Sequence, residues 1–465
     1  MNSYPNYPPA INSRYAPYRS SSSQPSAKYG QFWIVVMAVL HPALAWLMQA
    51  TPIISTVHAY LTILVGVGVA AFGKDARKVA YVAAYIVGAE VLWRMTGAQI
   101  FWEGGKYYVV LILGISLLRF RARRELLLPL LFFVLLLASV PITLANLGLT
   151  SEARDALSFN LSGALALTVC AWYFLQIKFD QVTIREVVWC VVFPILGIAM
   201  LTFIGTVSVD SIIFTKESNF DTSGGFGPNQ VSAILGLGGG LLVLLFFTSA
   251  KVMSRWLSLG IALGLFALSA LTFSRGGLYN VAVMISLSLA HFLQNARGRF
   301  VTIIGLFVLS LVGGYVIFPR LNEFTGGMLE ERFKDTDTTL RGAIAQMDIE
   351  MWLTHPILGL GPGMSKAEHE KIFGLNIAAH TEYTRILAEH GAMGLVAVLI
   401  ILILILRAYL RAPTIQAQTW TVALAAWPMA EMSHSAMRLV AISFLLGLAL
   451  VQWVKPQEIY QGRSK

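Results

Sequence analysis

The chain has 465 residues, of which 56% are hydrophobic and 12% charged, with a formal net charge of +10. Soluble globular proteins carry roughly twice that share of charge, which excludes a string of soluble domains and indicates one helical bundle in lipid. The positive balance reads as Lys and Arg that hold cytoplasmic loops inside, not as a nucleic-acid footprint. Cys170 and Cys190 both fall in apolar runs, which excludes a disulfide framework and a cysteine metal site.

Residues 1–30 are rich in Ser, Pro, Tyr and Asn and lack an apolar core, so a disordered cytoplasmic tail is expected. No charged start, apolar stretch and small-residue cleavage site precede the first span, which is expected to serve as an uncleaved insertion signal. Apolar runs predict spans at 32–50, 53–72, 78–97, 106–119, 126–147, 156–176, 186–206, 228–248, 256–273, 277–293, 300–318, 386–406, 419–435 and 438–454. The expected fold class is therefore all-α, a polytopic helical membrane protein of about fourteen transmembrane helices. The last two spans read equally as a broken pair. The expected organisation is the tail, an N-terminal bundle over 31–318, a loop at 319–384 and C-terminal helices over 385–465.

Charge fixes an orientation. With the N-terminus inside, 21 of the 34 Lys and Arg fall on the cytoplasmic side, including Lys74–Lys78 and the RFRARR stretch at 119–124. Of the 13 outside, seven lie in 319–385, so the short outer loops hold only six. This alternation follows the positive-inside rule and places both termini in the cytoplasm of a bacterial inner membrane. Two long outer segments, 207–227 and 319–384, are where function is expected. Within the second, Arg341–Thr354 reads as an amphipathic helix, with Ile344, Met347, Met351 and Trp352 on one face, and is suited to lie flat at the interface.

Arg275, in TFSRGG at the outer end of a span, is the sharpest single residue. A cation there is costly unless paired or wetted, and a guanidinium grips phosphate bidentately. The bland alternative is an Arg snorkelling to the interface. Gly276 and Gly277 leave room for another backbone or a headgroup. TSGGFGPNQ (Thr222–Gln230) opens a span with unpaired amides that attract phosphate, although it is equally an ordinary Gly/Pro helix start. HPILGLGPGMS (His355–Ser365) looks like a phosphate loop only superficially, because it lacks the lysine-serine ending. His380, before the twelfth span, has the chemistry of a general base. Arg385 and Glu389 follow at a spacing that lets them neutralise each other. His369 sits in the charged stretch KAEHEK and is expected to be solvated. His355, before Pro356, is expected to cap or pack the helix. No two His have ligand spacing with a third partner, so no metal is expected.

TFSRGG, then HPILGLGPG in a long loop, then HTEYTRILAEHGAMGL resemble the O-antigen ligase and polymerase superfamily. The usual last motif is His-Asn, an aromatic and Leu, then Ala-Glu-x-Gly-x-x-Gly. His380, Tyr383, Glu389, Gly391 and Gly394 match it, with Thr381 in place of Asn. SGGFGPNQ resembles the family's Gly-rich Pro-Asn motif, and the likeness spans roughly 185–406. The resemblance implies a metal-independent, inverting membrane glycosyltransferase without a cofactor. Its donor is a glycan on undecaprenyl diphosphate, and its acceptor is lipid A-core or a growing glycan.

The resemblance further implies that Arg275 binds the diphosphate and His380 is the base. Arg341, Lys216, Asn229, Tyr383 and Arg385 are expected to contact substrate. The family often places a second Arg just before the Gly-rich segment; here ESNFDTSGG has none, leaving Lys216 and Arg341 as candidates. Ligase, repeat-unit polymerase and protein O-oligosaccharyltransferase share these motifs. A transporter or flippase is the competing class, against which stands the scarcity of ionisable residues in the spans, with Glu90 and Arg94 the main pair. Lipids are the other expected partner, and nucleic acid is not one.

Overall fold

The computed structural model describes residues 27–120, 125–208, 212–249, 252–294, 296–335, 341–374 and 379–454. The tail up to residue 26 and Arg121, Arg123 and Arg124 of the basic loop lie outside the described residues. The chain begins with α1 (Ala27–Ala50), α2 (Pro52–Phe72), α3 (Arg77–Met95), α4 (Gly104–Arg119), α5 (Leu127–Leu137), α6 (Val140–Leu147) and α7 (Ser151–Phe174). A two-residue strand β1 (Lys178–Phe179) leads into α8 (Gln181–Val207). Then come α9 (Pro228–Thr248), α10 (Val252–Leu271), α11 (Gly276–Phe292) and α12 (Ala296–Ser310). Four short helices follow, α13 (Phe318–Phe324), α14 (Met328–Lys334), α15 (Arg341–Thr354) and α16 (Met364–Phe373). The chain closes with α17 (Glu382–Arg411), α18 (Ile415–Met432), α19 (Val440–Leu448) and β2 (Gln452–Trp453).

The protein is all-α and polytopic. Among the described residues, nine helical stretches are long and apolar enough to cross a membrane. The other expected spans are helices too, but shorter or more polar. α3 carries Glu90 and Arg94, and α19 has nine residues, about 13 Å.

α9 is the central helix: every residue from Val231 to Phe247 is buried. Small residues let backbones meet there, since lipid supplies no hydrophobic drive between helices. A Cβ on Gly236 would lie 2.4 Å from the Gly277 carbonyl oxygen, and one on Gly277 would lie 2.0 Å from that of Ser232. The space beside Gly277 is thus filled by the backbone of α9, not by a headgroup.

The last helix pair is broken. Residues 433–439 re-enter the bundle between α18 and α19 and are held by two carboxylates. Glu382 Oε2 accepts the Met437 amide at 3.1 Å, and Glu90 Oε2 accepts that of Val440 at 2.8 Å, capping α19 with negative charge. Ser443 Oγ donates to the Gly163 carbonyl at 2.8 Å, so α19 starts beside the middle of α7. β2 then pairs in parallel with β1.

Two expectations change in the outer loop. The eleventh span does not stop at Phe318: it winds as a π-helix over Leu311–Ile317 and continues through Pro319 to Phe324. The apolar face of α15 does not lie free on the bilayer either. Ile344, Met347 and Met351 are buried, the two methionines packing with Ala388 of α17 and Leu360.

Candidate active site

The TFSRGG turn is built to aim Arg275. Phe273 is fully buried at φ 58°, a sterically costly conformation for a bulky residue. Its carbonyl accepts from Arg332 Nε at 2.9 Å. Ser274 Oγ donates to Asn229 Oδ1 at 2.8 Å, and the Ser274 carbonyl accepts from Ser232 Oγ at 2.7 Å, so α9 grips the turn from below. Arg275 then caps α11, and its Nη1 donates to the carbonyls of Asp335 and, at 3.4 Å, Arg332. Asn229 therefore acts on the turn.

Cations converge here. Burial first, and then the charge of Arg275, lower the pKa of both Arg332 and Arg341; Glu431 opposes this at Arg341. His380 is pushed down to about 4, by burial first and then by Arg341, Arg438 and His369, with Asp348 opposing. Arg275, Arg332 and Arg341 thus share one field, and Arg341 together with Arg438 extends it to the neutral imidazole of His380. Asp335, 4.0 Å from Arg332, and Glu217 and Glu431 offset part of this charge, and a phosphate is the kind of anion that such a cluster attracts. Of the expected residues, Arg275, Arg341 and His380 come together.

The others are committed elsewhere. Lys216 is exposed and pairs with Glu331 at 3.3 Å. Tyr383 donates its hydroxyl to the Met429 carbonyl at 3.0 Å, tying α17 to α18. Arg385 is buried, with Nε on Glu382, Nη2 on Glu382, and Nη1 on Glu389 and Asn160. The expected substrate contact of Arg385 gives way to a structural one, since all three of its nitrogens already donate, in four of five possible bonds.

The glycine motifs are docking devices. α17 breaks at Gly391 (φ 59°, ψ −142°), which exposes backbone groups. The 355–363 segment satisfies them: the Leu360 and Gly361 amides donate to Ala388 and Glu389, each at 2.9 Å, and the Ala392 amide donates to Pro356 at 2.8 Å. A Cβ on Gly359 would lie 2.4 Å from the Glu389 carbonyl carbon. The alternating glycines therefore serve close backbone approach, and Thr381 caps α17 through the Thr384 amide at 3.1 Å, as an Asn there would.

His369 is the clearest correction. It is fully buried, not solvated, and bonds Asp348 Oδ1 through Nε2 at 2.9 Å. The sequence KAEHEK hides this because the neighbours of His369 are charged and α16 is amphipathic. His355 is exposed and bonds Thr354 Oγ1 at 3.1 Å, while His390 is buried on Ser139. Sequence reasoning also missed three features. Arg332 looked like an ordinary charge in EERFK. Arg438, in the α18–α19 break, sat inside an expected span. Asn280 is bonded by His434 Nε2 at its Oδ1 and donates to Glu431. The count of intramembrane charge was too low as well, for Glu103–Lys106 and Arg385–Glu382/Glu389 join Glu90–Arg94, the last at 2.9 Å. Among the described residues no three His, Cys, Asp or Glu are grouped to hold a metal.

Residues 260–399 match the family model described as O-antigen ligase. The matched stretch takes in TFSRGG, the docking segment and the His380 motif, whereas SGGFGPNQ falls outside it. A search of curated proteins found no match to the chain.

Proposed function

From the likeness of residues 260–399 to the O-antigen ligase family model, we propose a membrane glycosyltransferase that moves a glycan from undecaprenyl diphosphate to an acceptor hydroxyl. The acceptor is lipid A-core or a growing glycan, and the reaction takes place at the extracytoplasmic face of the inner membrane. The observation that carries this reading is the Arg275–Arg332–Arg341 cluster, joined through Arg341 to a neutral His380 that Arg438 also faces. A lipid diphosphate is already a good leaving group, so the protein must mainly stabilise its growing charge and remove one proton.

In the proposed step, the acceptor oxygen attacks the anomeric carbon as the bond to the phosphate oxygen breaks. The electron pair leaves on undecaprenyl diphosphate, held by Arg275 with Arg341 and Arg332. The hydroxyl proton passes to His380. Attack from the side opposite the leaving group inverts the anomeric centre, and the charges invoked come from side chains, without a metal.

The test is transfer by the purified protein from a lipid-linked donor, with chelator and without ATP or an ion gradient. Arg275→Ala should lower turnover a few hundredfold, about 3–4 kcal/mol. Near-normal activity of Arg275→Ala would return that residue to snorkelling. The buried charges and the broken α18–α19 pair are features transporters also use, so movement of lipid-linked glycan across vesicles without transfer would favour that class instead.

A further inference from the structure

Asp348 is completely buried, and both its oxygens are used. Oδ1 bonds His369 Nε2 of α16 at 2.9 Å, and Oδ2 accepts the Thr384 hydroxyl of α17 at 2.7 Å. Thr384 is in turn the residue whose amide Thr381 caps, and the two hydroxyls lie 3.1 Å apart. His380 immediately precedes that cap. On α15, Arg341 stands seven residues before Asp348, two turns away on the same face. One carboxylate therefore joins the helix that carries Arg341 to the helix start that carries His380, with α16 as a third strut. A buried carboxylate is costly to keep, and general packing does not require one at this corner.

We propose that Asp348 is a positioning residue that sets His380 against Arg341 by fixing the backbone at His380 through Thr384 and Thr381. It rests on the glycosyltransferase reading only for the meaning of His380 as base. The placement itself is independent of the reaction. Arg341 and Asp348 from α15, His369 from α16 and Arg438 from the α18–α19 break are the charged and titratable groups that act on His380. Asp348 is the only one of these that favours the imidazolium, so the site balances one carboxylate against two guanidinium groups and a second His.

The test uses full-length protein in detergent and two variants. Asp348→Asn keeps the shape and loses the charge. Thr384→Val keeps the Asp348–His369 pair and the amide cap on Thr381 and removes only the Thr384 hydroxyl, with its contacts to Asp348 and the Thr381 hydroxyl, so it guards against a variant that fails to fold. The first readout is diethyl pyrocarbonate modification of His380, followed by peptide mass spectrometry across pH without substrate. The reagent takes neutral imidazole only. Thr384→Val should label His380 several-fold faster at neutral pH, because the backbone that carries the half-buried ring is no longer fixed. Asp348→Asn should move the labelling midpoint to lower pH. The second readout is kinetic: both variants should lose ten- to a hundredfold in kcat with donor KM within about threefold. Labelling rates and midpoints equal to wild type would overturn the proposal, as would a kcat loss matched by an equal loss of active protein. A wild-type protein that labels as expected but transfers no glycan would retire the proposed reaction and leave the placement of His380 standing.

Discussion

At the scale of single residues, the chemistry rests on what surrounds His380. Burial and the nearby guanidinium groups hold it neutral, with a pKa of about 4. A neutral imidazole can accept a proton at once, but one with so low a pKa is a weak base. A bound diphosphate would neutralise the Arg341 field and raise that pKa toward neutrality. The sign is then fixed: activity needs the unprotonated ring and is lost as pH falls through the pKa. We expect kcat/KM, which reports the free enzyme, to hold to mildly acidic pH and fall only near 4. We expect kcat, which reports the donor complex, to fall at a higher pH. Coincident acid limbs would mean that the diphosphate does not reach the His380 field. Arg275→Lys should recover only part of what Arg275→Ala loses, because a point charge lacks the bidentate fork; full recovery, measured as kcat/KM, would reduce Arg275 to a charge without geometry. Arg275 was legible as a cation out of place beside an apolar run, His380 through the family motif that it opens, and Arg341 only as one of two candidates for a missing second Arg. Arg332 and His369 were not, because their helices are short and charged, and only the fold reveals which face is inward.

At the scale of elements, the glycine-rich motifs divide by what a Cβ would meet. In HPILGLGPG the alternation resembled a phosphate loop only superficially, and the sequence alone could not show that α17 breaks at Gly391 and offers its backbone as the partner. Gly359 combines φ 66° with a Cβ position 2.5 Å from the His390 amide. Gly359→Ala should therefore push the segment off α17 and lower stability by about 1–3 kcal/mol. A drop in thermal midpoint should accompany the loss of activity. Gly264, mid-helix in α10 with nothing within 4 Å of its Cβ position, is the control. Alanine there should leave the midpoint unchanged or raise it, since alanine favours helix by about 1 kcal/mol. Equal effects at both sites would show that backbone docking is not what these glycines provide. The amphipathic period of α15 was read correctly from sequence, but not its partner: periodicity says which face is apolar and is silent on whether lipid or another helix covers it.

At the scale of the whole molecule, contacts between loops sort the segments into the same two sides that the charge pattern does. Arg119 reaches the Ala70 carbonyl at 3.4 Å, Arg185 that of Thr248 at 2.6 Å, and Arg407 reaches Glu125 at 2.6 Å. Each joins two segments expected on the cytoplasmic side. Arg275 with Asp335, and Thr384 with Asp348, join segments expected outside. The pairing of β1 with β2 adds a count, because chain ends that touch on one side must be separated by an even number of crossings. From Phe179 to Gln452 the chain runs through α8, α9, α10, α11, α12, α17, α18 and α19, an even series that the broken α18–α19 pair would spoil only by making a single crossing. In a variant without Cys170 and Cys190, cysteines replacing Lys178 and Gln452, whose Cα atoms are register partners, should form a disulfide on mild oxidation. Single cysteines test the sides. Ser365, although in the outer loop, is a poor probe, since it is buried on Glu389 at 2.7 Å. Ala367 and Gln181 are exposed and serve better. An impermeant thiol reagent should label Ala367→Cys in intact spheroplasts and Gln181→Cys only after lysis. Labelling of Gln181→Cys from outside would invert the molecule, carry His380 to the cytoplasmic face, and remove the extracytoplasmic placement on which the proposed reaction depends.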